Sequence, residues 1–144
     1  MYEPYKWAIY TMDKAYVDLE ALYRMTENET YFVTRAKTPM KYEVVETNYN
    51  INDLVGIVGD KTIRFTGYAS RKKYPKDLRI VEFYDAEKEE VIIFLTNNFE
   101  LGPLVIANIY RNRWQIESFF KWVKGNLTIK ALWGYSENAV KIHL

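Results

Sequence analysis

The chain has 144 residues, and 20 Lys and Arg stand against 19 Asp and Glu, for a net charge of +1. That length suits one domain with a sizeable core, and a 49% hydrophobic content with 13 Tyr, 7 Phe and 4 Trp excludes a disordered chain. A charge this close to zero announces neither a nucleic-acid nor a membrane partner, and the lack of cysteine excludes disulfides, thiolate metal sites and a cysteine nucleophile.

The single histidine, His143, lies one residue from the end, so any chemistry falls to carboxylates and cations. No apolar run approaches the ~20 residues of a membrane span, and the N-terminus lacks a signal-peptide pattern. A cytoplasmic protein without a membrane partner is the expectation.

In chain order, "WAIYTM" (7–12) reads as a buried strand ending at Asp13. "YVDLEALYRMTEN" (16–28) sets Val17, Leu19, Leu22, Tyr23 and Met25 near helical spacing, with Asp18 and Glu20 in the first turn. "TYFVTRAK" (30–37) is a second strand, broken by "TP". Strand–helix–strand is the pattern of a parallel crossover unit.

From 40 to 98 come "YEVVET", "LVGIVG", "KTIRFTGYAS", "LRIVEFYD" and "EVIIFLTNN", punctuated by "ND", "GD" and "YPKD". Closely spaced strands with turn signals predict an antiparallel sheet, with "DAEKEE" (85–90) as a charged hairpin. The last third reads as helix, with Asn98 or a neighbour as cap, Pro103 in the first turn and Gly125 as the stop after Lys124. Val105, Ile109, Ile116, Phe119, Phe120 and Val123 form its apolar arc. A shorter helix is expected to begin near Ser136.

Tyr110, Arg113, Glu117, Lys121 and Lys124 fall on a separate stripe of the long helix, beside Trp114 and Trp122. A solvated face with i,i+4 pairs explains such a stripe for a few tenths of a kcal/mol per pair. A lone glutamate among cations also suits a metal ligand beside a polyanion.

Tyr110, Arg113, Glu117 and Lys124 stand as Y-x2-R-x3-E-x6-K, which resembles the signature of the IS4-type DDE transposases of bacterial insertion sequences. "TMDKAYVDLEALY" resembles the segment around that family's second catalytic aspartate, and "YFVTRAK" the strand after it. "LTNNFELGPLVIANIYRNRW" and "FFKWVKGNLTIKALWGYSENAVK" resemble the approach to its glutamate helix and the continuation, so nearly the whole chain is covered in order.

The resemblance implies an α/β fold: a partial ribonuclease H-like catalytic core of strand–helix–strand and long helix, with an inserted β-rich region. Residues 1–37 would be the partial core with the second Asp, 38–98 the insertion, and 99–144 the core helices with the Glu. It implies Asp13 and Glu117 as catalytic, metal-binding carboxylates for Mg²⁺ or Mn²⁺ in DNA strand cleavage and transfer. Arg113, Lys124, Tyr110 and Lys121 would contact DNA phosphates at transposon ends and target DNA. Trp114 and Trp122 are either base-stacking or packing residues.

A basic cluster, Arg71, Lys72, Lys73, Lys76 and Arg79, is interrupted only by Asp77 and reads equally as a DNA-tracking surface or a solvated loop. Arg35 and Lys37 make a weaker version of the same pattern.

The family uses three carboxylates, yet only twelve residues precede Asp13, and Glu3 is the one carboxylate among them. These residues alone are therefore expected to be inactive, with apolar faces of Trp7–Met12 uncovered and exposed strand edges prone to associate. A homodimer, or association with a full-length transposase, follows as the expected assembly. A non-catalytic DNA-binding or regulatory remnant is the alternative function, and an accidental match to an unrelated interaction domain is a third.

Overall fold

A computed structural model describes residues 8–12, 18–36, 40–51, 55–112 and 139–143. The elements are β1 (Ala8–Met12), α1 (Leu19–Glu27), β2 (Tyr31–Arg35), β3 (Tyr42–Thr47), β4 (Ile57–Phe65), α2 (Tyr68–Lys73), β5 (Leu78–Asp85), β6 (Glu90–Thr96), α3 (Pro103–Arg111) and β7 (Ala139–His143). The seven described strands form one sheet in the order β3-β4-β5-β6-β2-β1-β7.

β1 and β2 pair in parallel across α1, as the strand–helix–strand pattern predicts. β3 to β6 form the expected antiparallel meander, and "LRIVEFYD" is β5 residue for residue. β6 then pairs antiparallel with β2, which joins the meander and the crossover unit into a single sheet.

Two cores flank this sheet. Adjacent residues on one strand point to opposite faces, and Phe32/Val33, Ile80/Val81 and Leu95/Phe94 divide accordingly. Val33, Val81 and Phe94 pack with Ile9, Ile106 and Ala107 under α3. Phe32, Ile80 and Leu95 pack with Leu22, Phe65 and Tyr74 under α1 and α2. Tyr74 is fully buried, and its hydroxyl meets Thr26 Oγ1 at 2.8 Å. Burial pushes that phenol up to about 12, an effect only partly offset by the Thr26 hydrogen bond.

Asp18 is the N-cap of α1, not a first-turn residue; its Oδ1 accepts from the amides of Glu20 (3.0 Å) and Ala21 (3.3 Å). Asp18→Ala is expected to lower stability by about 1 kcal/mol, measurable as a shift in urea midpoint without a change in m value.

Several expectations are corrected. "LVGIVG" and "KTIRFTGYAS" are not two strands: β4 runs through the "GD" pair, with a register shift between Ile57 and Gly59, and ends at Phe65. Gly67 follows as the N-cap of α2, where a strand was expected. Gly56, before β4, has φ +88, and a Cβ there would lie 2.5 Å from the Phe83 ring.

The helix expected near Ser136 is replaced over Ala139–His143 by β7, antiparallel to β1. Val140 and Ile142 alternate at strand spacing, and pairing satisfies the backbone groups that β1 would otherwise leave at an edge. β1 is thus paired on both sides and Ile9 is fully buried, contrary to the expectation of an uncovered strand. At the other edge β3 exposes Val44 and Val45, broken by a register shift between Val44 and Glu46.

Candidate functional site

Two elements approach the predicted site, and the sheet register relates them. Met12, Thr34 and Leu95 lie in one row across β1, β2 and β6, and Arg35 with Phe94 opens the next row. α3 lies on the face that carries Val33, Val81 and Phe94, against β2, β4 and β5. Tyr110, in its last turn, packs against Phe94 with the rings tilted by 46° and their centroids 5.0 Å apart. Phe94 lies one row past Met12 and two strands across from β1, and Arg111 reaches Phe83 on β5, one strand further. Thr11 pairs with Val33 and shares its face, the α3 face. It is fully buried, and its Oγ1 has no hydrogen-bond partner among the described residues.

α3 itself departs from the predicted pattern. Its buried stripe is Pro103, Ile106 and Ala107, continued by the half-buried Tyr110, while Val105 is 46% exposed. Those positions are spaced i, i+3, i+4 and i+7, and the sheet beneath selects them over Val105. Tyr110 thus belongs to the inner stripe rather than to a separate polar one. The described helix closes at Arg111 with Asn112 as its C-cap, and the predicted continuation over 113–124 lies outside the described residues. Asn is a weak helix former whose side chain competes for backbone groups. Arg111 closes the last turn 4.5 Å over the Phe83 ring.

The turn that launches α3 is held by a buried ion pair that the sequence pattern does not announce. Arg79 and Asp60 are 6% and 4% exposed. Arg79 Nε and Nη2 donate to the two Asp60 carboxylate oxygens at 2.8 and 3.0 Å. Its Nη1 donates to the carbonyls of Asn98 (3.0 Å) and Leu101 (2.6 Å), and Asn48 Nδ2 donates to Asp60 at 2.9 Å. Burial pushes the Asp60 carboxyl up, but hydrogen bonds from Arg79 and Asn48, with the Arg79 charge, together hold it below the usual aspartate value.

Asn98 does not cap α3. Its Oδ1 accepts from the amides of Glu100 and Leu101 and shapes the turn before the helix, and Gly102 takes the N-cap position. Asn48, Asp60, Arg79, Leu101 and Gly102 line a cleft of about 390 Å³, with Glu46, Thr62 and Phe99 at its walls. The sequence hides the pair among other charges: Asp60 stands with Lys61 and Arg64 in "GIVGDKTIRF" and Arg79 with Glu82 in "LRIVEF", and of these only Asp60 and Arg79 are buried.

A family model described as "Transposase DDE domain" matches residues 1–144. The chain belongs to the DDE transposase family. It is 31% identical over 140 residues to the putative transposase y4zB of Sinorhizobium fredii, covering 95% of this chain and 39% of that protein. It is 33% identical over 130 residues to the probable transposase for insertion sequence element IS5377 of Geobacillus stearothermophilus, covering 89% and 33%. A putative transposase for insertion sequence element IS4SA, from a Synechocystis species, is 29% identical over 135 residues, covering 92% and 36%. The chain thus spans between a third and two fifths of the length of these relatives.

In this DDE transposase chain, Asp13, Arg113, Glu117, Lys121 and Lys124 lie outside the described residues, as do Lys37, Trp114 and Trp122. Among the described residues no group of three or more His, Cys, Asp or Glu side chains is placed to hold a metal ion. No helix among them is long and apolar enough to cross a membrane.

The predicted basic cluster divides. Arg79 is buried against Asp60 and leaves it, and Lys76 pairs with Glu27 at 3.3 Å over the Tyr23 ring. Lys72 and Lys73 remain exposed on α2. Arg35 is tied to Glu90 at 3.5 Å.

Proposed function

We propose that these residues are part of an IS4-type insertion-sequence transposase and supply two carboxylates, Asp13 and Glu117, to its DNA cleavage and strand-transfer site. What supports this reading is the Y-x2-R-x3-E-x6-K pattern of Tyr110, Arg113, Glu117 and Lys124 in a chain that the transposase DDE family model matches over residues 1–144. The parallel β1–α1–β2 unit supports a ribonuclease H-like core, and the β3–β6 strands the inserted region.

The donor set fits a hard divalent cation, since carboxylate oxygens are the ligands Mg²⁺ and Mn²⁺ prefer. Asp13 and Glu117 are the residues that would hold it. When bound, such ions activate a water or a DNA 3′-hydroxyl and stabilise the leaving oxygen of an in-line phosphoryl transfer. Arg113, Lys121 and Lys124 hold the phosphates of transposon-end and target DNA in line with that site. Tyr110, anchored on Phe94, sets the start of this surface.

Two carboxylates do not complete a three-carboxylate clamp, so these 144 residues by themselves bind DNA without cutting it. Supercoiled plasmid incubated with the chain and Mg²⁺ or Mn²⁺ is expected to stay un-nicked. Mn²⁺-dependent nicking that disappears in Asp13→Ala would overturn the claim of inactivity while supporting the site. The DNA-facing role predicts that Arg113→Ala with Lys124→Ala lowers the slope of log affinity against log salt by about 1.8, about 0.9 for each phosphate no longer neutralised. An unchanged slope removes the assignment of these two cations.

A further inference from the structure

The cations of β2, β4 and β5 are all spent on carboxylates: Arg35 on Glu90, Lys61 on Glu82, Arg64 on Asp77 and Arg79 on Asp60. Around α2 the pattern reverses. Arg24, Lys41, Lys72 and Lys73 are exposed and make no ion pair among the described residues. They are not scattered. Arg24, Lys72 and Lys73 line one groove of about 540 Å³ with Tyr23 and Tyr68. Lys41 and Lys73 line a second of about 760 Å³, and the two grooves share Glu20, Ala69 and Lys73. Tyr68, on the rim, is 85% exposed.

We propose that this α1–α2 face is a second DNA-backbone contact surface, on the side of the sheet opposite α3. Four unpaired cations with an exposed tyrosine along adjoining grooves match what a sugar–phosphate backbone needs: mobile positive charge, a hydroxyl donor and little buried apolar area. A protein partner would ask for a larger exposed apolar centre; Leu19 and Met40 in the second groove are half-buried and Phe65 is buried, whereas Lys41, Ala69 and Lys73 beside them are exposed. Arg71 is partly buried and Lys76 is held by Glu27, so neither is counted. Glu20, shared by both grooves, and Asp18, whose carboxylate also caps α1, are the counter-charges that limit affinity.

The proposal rests on the reading of this chain as a DNA-handling transposase segment, but not on Arg113 or Lys124. Its test is fluorescence anisotropy of the full chain with a labelled mixed-sequence duplex of about 20 base pairs, titrated between about 50 and 200 mM salt. Lys72→Ala with Lys73→Ala is expected to lower the salt slope by about 1.8, whether made in the native chain or in the Arg113→Ala/Lys124→Ala background. Lys88→Ala, in the β5–β6 turn, is expected to leave it unchanged. Glu20→Gln is expected to tighten binding. An unchanged slope in the α2 double variant, or an equal drop from Lys88→Ala, overturns the proposal. If the α2 pair lowers the slope and the Arg113/Lys124 pair does not, this surface stands and the phosphate-holding role of Arg113 and Lys124 falls.

Discussion

Asp60→Ala is expected to destabilise the chain by about 3–5 kcal/mol, the penalty for leaving a buried guanidinium without its carboxylate. Arg79 is too enclosed to turn to solvent, and its Nη1 is committed to the Asn98 and Leu101 carbonyls at the base of α3. Nε and Nη2 would lose both acceptors at once. Against a total stability of about 5–15 kcal/mol, that loss is enough to unfold a large fraction of molecules.

The double variant Asp60→Leu with Arg79→Met removes both charges and is expected to cost less than Asp60→Ala alone. The comparison, made by urea denaturation, isolates the stranded charge. A cost below about 1 kcal/mol for Asp60→Ala would contradict the assigned role.

The same pair gives a pH dependence of known sign. The Asp60 carboxyl is held below its ordinary value of 3.8 in the folded chain. The unfolded state therefore binds the proton more readily than the native state below that pH. The contribution is fully present above the ordinary aspartate value and drains away as pH falls toward the folded one. In the double variant this part of the acid sensitivity should vanish.

Phe94→Ala is expected to cost about 3–5 kcal/mol, as fully buried phenylalanines do when a cavity replaces the ring. Phe94 is completely enclosed in the core under α3 and supports the Tyr110 ring. The loss should fall unevenly. Amides of α3 lose their footing on the sheet, whereas those of α1 rest on Leu22, Phe32 and Leu95 across the sheet. Hydrogen exchange should therefore accelerate in Pro103–Arg111 more than in Leu19–Glu27. Equal acceleration of both helices would mean that the two cores open as one unit, and the expected independence of α3 would be lost.

Of the site, the sequence showed the residue types and their family pattern, and Asp13 and Glu117 lie outside the described residues. Asp13 and Glu117 came from motif spacing, which survives in one dimension. Tyr110 was legible as a position but not as an inward ring. A helical period leaves the buried direction open when Val105, Ile106, Ile109 and Tyr110 are all apolar enough to serve. The buried Asp60 was hidden by its neighbour: Gly59–Asp60 reads as a turn, and only pairing with β5 makes it mid-strand.

The sequence by itself determined the family, the parallel β1–α1–β2 unit, and β5 and β6 with their charged hairpin. Each of these is written in local periodicity, or in residues spaced along one stretch of chain. The tertiary structure alone decided that Ala139–His143 pairs with β1 as a strand, that Arg79 leaves the basic cluster to lock Asp60 beneath α3, and which side of α3 is buried. Those outcomes depend on partners tens of residues away, whose backbone hydrogen bonds, charge and surface exist for the segment only after the chain has folded.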